Sequence, residues 1–192
     1  MRRSIRSLLI ESIRLWQQEQ FHRFNDHETS STVRLYYWAV QVVRSSPELS
    51  FFRVQYDGPQ PTAAMLAGSE DPARAPRPDI NVSLGQDIVV HVEAKRLKSG
   101  DGLPKKYVTQ GMRRFVDGRY DTRPCNLGGM LGYIMDGDSA KAIAQINQTI
   151  SDEADFGPNA ALRAQGSPLP FIGEYVSDHG SFSLIHLAID VA

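Results

Sequence analysis

Residues 78–95 read PDINVSLGQDIVVHVEAK. Ile80, Val82 and Leu84 alternate with polar residues, and Ile88, Val90, Val92 and Ala94 continue the alternation after Gly85-Gln86-Asp87, as two half-buried strands over 78–84 and 88–95 require. A three-residue loop centred on Gln86 preserves the parity and pairs Leu84 with Ile88, Val82 with Val90 and Ile80 with Val92. Asp79, Asn81, Ser83, Val89, His91, Glu93 and Lys95 then share the other face, with Asp79 opposite Glu93. Opposed residues have Cβ atoms about 4.5–5.5 Å apart, and two carboxylates at that spacing repel unless a proton or a cation lies between them. A hard divalent metal resolves the conflict, because Mg²⁺ takes one or two carboxylates and completes its shell with waters and phosphate oxygens. Lys95 then stands beside the metal, where its ammonium could hold or deprotonate a water or stabilise charge on a phosphate.

Outward from this hairpin, Ile5, Leu8, Leu9, Ser12, Leu15 and Trp16 recur at helical spacing and predict a first helix over 4–24, within an N-terminal segment 1–27. Val33, Tyr36, Tyr37, Val40 and Val43 form the expected apolar stripe of a second helix, which starts among the capping residues 25–29 and ends before Pro47. The aromatic cluster Tyr36, Tyr37 and Trp38 reads as packing rather than as a base-stacking platform. A strand over 51–56 precedes an irregular loop, 57–77. A helix over 104–117, a buried strand over 130–135, a helix over 139–150 and a closing hairpin around Asp178-His179-Gly180 follow. Gly128-Gly129 reads as a tight turn before the 130–135 strand. The order predicts one α/β domain over 1–192, with a mixed central β-sheet flanked by helices on both faces.

The 192 residues are 41% hydrophobic and 22% charged, the composition of an ordinary globular domain. Charged or polar residues interrupt every apolar run short of a membrane span, and 5–15 lacks the uninterrupted centre of a signal peptide, so the expected location is the cytoplasm and no membrane partner is expected. Cys125 is the sole cysteine, which excludes an internal disulfide and a Cys-rich zinc site. The net charge of −1 is unevenly spread: 95–123 carries nine basic against three acidic residues, whereas 136–155 carries five acidic against one basic. A local polyanion site is the expected consequence.

Pro78-Asp79 followed by Glu93-Ala94-Lys95 resembles the signature of the PD-(D/E)XK nuclease superfamily, whose fold many restriction endonucleases share. The resemblance implies a restriction-endonuclease-like fold and a metal-dependent endonuclease that hydrolyses DNA and leaves a 5′-phosphate. It implies that Asp79 and Glu93 bind Mg²⁺ or Mn²⁺, that Lys95 assists the water, and that an acidic residue on an earlier helix completes the metal site. Glu28 is the matching position, with Glu11 and Glu19 as weaker candidates; Gln110 or Tyr107 would be the polar residue on the following helix. The segment Tyr107 to Tyr120 followed by Gly128 to Asp138 is also similar to stretches of bacterial proteins linked to DNA restriction or phage defence.

For Glu28 the alternative is helix capping near the positive end of the helix dipole, and for His91 a supporting imidazole is favoured over a ligand. Lys98, Lys105, Lys106, Arg113 and Arg114 are the expected phosphate contacts, although the adjacent Arg113 and Arg114 point about 100° apart on a helix, so only one is expected to face the site. DNA is the expected partner, RNA is not excluded, and a second copy or a larger defence assembly is expected alongside. The reading from another class is a noncatalytic subunit that uses the fold to bind DNA or to dock proteins, its Asp79, Glu93 and Lys95 forming ordinary ion pairs.

Overall fold

The computed structural model describes residues 1–85, 87–166 and 169–192, so the expected loop centre at Gln86 lies outside the described residues. Among these residues a seven-stranded mixed sheet forms the middle layer, in the order β1 (Phe52–Tyr56), β2 (Ile80–Leu84), β3 (Ile88–Leu97), β4 (Leu127–Ile134), β7 (Ser183–Asp190), β6 (Ile172–Asp178) and β5 (Arg163–Ala164). β3 and β7 run parallel to β4, and the other neighbours are antiparallel. The β2–β3 register is the one the alternation predicts, Ile80 with Val92, Val82 with Val90 and Leu84 with Ile88. The expected closing hairpin is β6–β7, with Asp178 opposite Ser183.

Helices cover both faces. α1 (Arg2–Gln18) and α2 (Glu28–Ser45) bury Ile5, Leu8, Trp16 and Leu35 against Ile80, Val82, Val90 and Val92. On the other face α4 (Leu103–Lys106), a π-helical segment (Tyr107–Met112) and α5 (Arg113–Val116) form one continuous helical run. That run and α6 (Ser139–Asp152) bury Tyr107, Met112, Phe115 and Ile146 against Met130, Ile134, Leu184 and Ala188. Asp138 caps α6 by accepting from the Lys141 amide at 3.0 Å. Within 57–77 a short α3 (Ala63–Leu66) and a 3₁₀ turn (Pro72–Arg74) interrupt an otherwise irregular path. Among the described residues no helix is long and apolar enough to cross a membrane.

Three expectations need correction. α1 ends at Gln18 rather than Phe24, because Gln20 and Phe21 have φ of 53° and 50° and leave the helical region. The fully buried face of α2 is Ser31, Thr32, Leu35, Ala39 and Val42; of the expected stripe, Tyr36 and Val43 pack against the core only partly buried, and Val33 and Tyr37 remain 40% and 45% exposed. α1 and α2 both pack on this face of the sheet, α1 through Trp16 against the Tyr133 ring and α2 with Thr32 Oγ1 at 3.1 Å from the Tyr133 hydroxyl. Gly128-Gly129 is no turn but part of β4. A Cβ on Gly128 would lie 2.4 Å from the Phe115 ring and 2.7 Å from Leu184, so the missing side chain lets α5 lie flat on the sheet.

Gly128→Ala should therefore lose about 1–3 kcal/mol of stability through overpacking. Gly157→Ala, where a Cβ meets nothing within 4 Å, should stay within about 0.5 kcal/mol of the parent. Urea midpoints of the two variants check this, and equal midpoints would remove the close-approach explanation.

Candidate active site

The outward parity of β3 places Val89, His91, Glu93 and Lys95 on the face that the α4–α5 run covers. Gly111 of the π-helical segment eases that cover: its Cβ would meet the Met130 methyl at 2.6 Å, so the Met130 side chain would have to move, and Lys95 Cγ lies at contact distance, 3.6 Å. The result is a buried acid. Glu93 is 1% exposed, and its Oε1 accepts from Lys95 Nζ at 2.7 Å. Its Oε2 accepts from Arg114 at 3.0 Å and from the Tyr120 hydroxyl at 2.7 Å, and Arg114 also donates to the Tyr120 oxygen at 2.5 Å.

Asp79 lies one residue before β2, where an extension of the register sets it opposite Glu93. Its Oδ2 accepts from the Ala94 amide at 2.7 Å. Burial, and next the charge of Glu93, push its carboxyl up to about 7, against the opposing pull of the Ala94 N–H and Lys95. Glu28 is the first residue of α2, so the chain turn before that helix delivers it to the end of β3. Its Oε1 accepts from Lys95 Nζ at 3.2 Å and its Oε2 from the Arg96 amide at 3.0 Å.

Lys95 Nζ also donates to the Ala94 carbonyl at 2.6 Å, so one ammonium is held by three oxygens from Glu28, Glu93 and Ala94. Burial disfavours its charge, but Glu93 and Glu28 outweigh burial and hold its pKa above the ordinary lysine value. Behind the acid, Asn81 Oδ1 meets His91 Nδ1 at 2.6 Å, and burial pulls the His91 imidazole down to about 4, leaving it neutral.

Asp79, Glu93, Lys95 and Glu28 are thus brought together. Among the described residues, however, no three His, Cys, Asp or Glu side chains are grouped to hold a metal ion. The expected three-carboxylate site is not assembled in this arrangement, because the Lys95 ammonium stands between Glu28 and Glu93. Asp79, Glu93 and the Ala94 carbonyl are still the hard oxygen donors that a small divalent cation takes, so the donor chemistry fits Mg²⁺ with two carboxylates rather than three. Gln110 is exposed and, among the described residues, hydrogen-bonds to none of these groups; its neighbour Gly111 is what touches Lys95.

The basic stretch divides. Lys98, Lys105 and Lys106 are exposed and, among the described residues, form no ion pairs. Arg113, expected to meet phosphate, instead pairs with Glu153 and with Asp155 at 2.9 Å, its charge met by the acidic stretch after α6. Its neighbour Arg114 turns to Glu93, so it positions the acid rather than standing free for phosphate. Tyr120 was not anticipated: it lies 27 residues from Glu93, and no spacing rule links a loop tyrosine to a strand carboxylate. No protein-family model, curated protein or solved structure matches the chain.

The raised pKa of Asp79 has a thermodynamic sign. The folded state binds this proton more tightly than the unfolded chain, so the group's stabilising contribution is present below the unfolded value near 4 and is lost as pH rises through about 7. Asp79→Asn should therefore be more stable than the parent at pH 8, by about 1–3 kcal/mol. The difference should shrink from pH 7 downward and vanish near pH 4. His91, His179 and His186 are held neutral by burial and destabilise both proteins as acid is added, so the comparison between the proteins isolates Asp79. Denaturant titrations at pH 8, 6 and 4 measure it; an Asn variant less stable at pH 8 would contradict the strained carboxylate.

Proposed function

We propose that the chain is a metal-dependent phosphodiesterase acting on DNA, with Asp79 and Glu93 holding Mg²⁺ or Mn²⁺, Lys95 handling the attacking water and Glu28 assisting. The observation that carries this reading is the oxygen-lined seat shared by Glu28, Glu93 and the Ala94 carbonyl, filled by a lysine ammonium, with a second half-buried carboxylate, Asp79, beside it. Three carboxylates meet two cations there, Lys95 and Arg114, and the remaining negative charge is relieved by the readily protonated Asp79. A bound divalent ion supplies a coordinated water of lowered pKa and neutralises phosphate oxygens.

The chain's own groups do the rest. Glu28 holds the Lys95 ammonium at the seat, from which it can donate to a water or to a phosphate oxygen. Arg114 and Tyr120 fix Glu93 in one rotamer, and His91 with Asn81 supports the strand face behind it. Lys98, Lys105 and Lys106 supply sequence-independent attraction for the phosphate backbone, while Gln110 is left a surface role on the same helical run. The restriction-endonuclease likeness, action in the cytoplasm, a place in phage defence and assembly with a second copy or with partner subunits belong to the same proposal.

One observation favours the second reading, a noncatalytic DNA-binding or docking module: both oxygens of Glu93 are already satisfied by Lys95, Arg114 and Tyr120. Cleavage assays on single-stranded, duplex and branched DNA and on RNA separate the two. In the catalytic reading chelation abolishes cutting, Mg²⁺ or Mn²⁺ restores it, and Asp79→Ala and Glu93→Ala remove metal binding and turnover together. Lys95→Ala should lower the rate by about 10²-fold or more without weakening metal binding. If the parent binds DNA but cuts none of these substrates with either metal, the module reading replaces the enzyme. Lys105→Ala with Lys106→Ala should weaken binding on all sequences and flatten its salt dependence, whereas Arg113→Ala should change neither; an unchanged salt slope in the lysine pair would move the phosphate track elsewhere.

A further inference from the structure

A groove of about 1040 Å³ opens beside the carboxylate site. It is lined by Gln60 and Thr62 from the excursion after β1, by Tyr120 and Asp121 from the loop before β4, and by Phe182 from the β6–β7 turn. Val89 and His91 of β3 line it too, and Glu93 and Lys95 follow on the same strand face. Two residues along a strand advance about 6.6–6.8 Å, so the groove and the acid are neighbouring positions on one track. Tyr120 belongs to both, with its ring on the groove and its hydroxyl on Glu93.

His91 gives the groove a defined polarity. Asn81 Nδ2 donates to the Gly58 carbonyl at 3.3 Å, which can only accept, so the carboxamide oxygen faces His91 Nδ1 at 2.6 Å. Nδ1 must therefore carry the ring proton, and Nε2 is an acceptor. Among the described residues Nε2 has no hydrogen-bond partner, although the residue is only 5% exposed. Nε2 is not one of the fully buried polar atoms, so it stands open to the groove as an acceptor that a ligand donor can reach. Asp121 and Glu70 add acceptors, while Arg119 and Arg123 balance their charge, so the lining suits a neutral polar group more than a phosphate. Val89, Val116 and the edge of Phe182 add apolar lining, and the buried Tyr120 and Phe115 lie beneath it.

We propose that this groove receives one unpaired nucleobase of a single strand, with His91 Nε2 accepting from the exocyclic amino group of adenine or cytosine. The placement of that base next to the cut phosphate rests on the phosphodiesterase reading; the base contact itself does not. A duplex cannot offer a base to such a walled groove without unstacking it, so the substrate is single-stranded or locally opened at this position.

The test is fluorescence anisotropy in EDTA, where nothing is cut, with labelled decamers of deoxyadenosine, deoxycytidine, thymidine and the adenosine analogue in which purine lacks its amino group. The first two should bind about five- to tenfold more tightly than the last two, and more tightly than a duplex of equal length. His91→Phe, which keeps a ring and removes the acceptor, should level the four. Equal affinity of the parent protein for the adenine decamer and its aminoless analogue, or duplex binding as tight as that of the single strands, would overturn the proposal whether or not the variant folds. Base preference without cleavage in Mg²⁺ would keep the base site and remove the phosphodiesterase reading; cleavage without base preference would do the reverse.

Discussion

Glu93 is a carboxylate in the interior, and its surroundings are arranged around satisfying it. A buried carboxylate left without partners is strongly destabilising, so the acid depends on this set of contacts. They come from three separate places: Lys95 on the same strand, Arg114 on α5 and Tyr120 from the loop that leads into β4. Arg114 reaches the acid because the helical run lies flat on the sheet. It lies flat because Gly111, Gly128 and Gly132 keep Cβ atoms out of the space between them. The glycines of β4, the π-helical segment and the acid are thus one device.

The same device separates two adjacent arginines. A step of one residue on a helix turns the side chain by about 100°, which sends Arg114 inward to Glu93 and Arg113 outward to Glu153 and Asp155. Charge along 95–123 therefore overstates the free positive surface, which narrows to residues such as Lys98, Lys105 and Lys106. Asp79 shows the opposite tension. It is held where burial and a like charge oppose its ionisation, a local cost that a positively charged ligand would relieve.

Much of this was legible in the chain. Period-2 alternation in 80–95 determined the β2–β3 register, and that register brought Asp79 to Glu93 and aligned Lys95 beside them. The mixed sheet with helices on both faces followed from the order of periodic segments. Three features were not legible, each for a physical reason. The α2 face was misjudged because large apolar residues advertise a core face, whereas this helix buries Ser31, Thr32 and Ala39 beside Leu35 and Val42. Gly128-Gly129 looked like a turn because glycine marks close approach and reversal alike. Tyr120, and which of Arg113 and Arg114 turns inward, depend on tertiary packing over β3, which no local period records.

The central claim is that the oxygens around Lys95 form a cation seat that the ammonium fills until a divalent metal takes it. The most direct measurement is an anomalous difference map from a crystal soaked in Mn²⁺. The account predicts one peak bounded by Asp79, Glu93 and the Ala94 carbonyl, with Lys95 Nζ withdrawn from Glu93 Oε1. A map without that peak, with Lys95 still seated between Glu28 and Glu93, would contradict it.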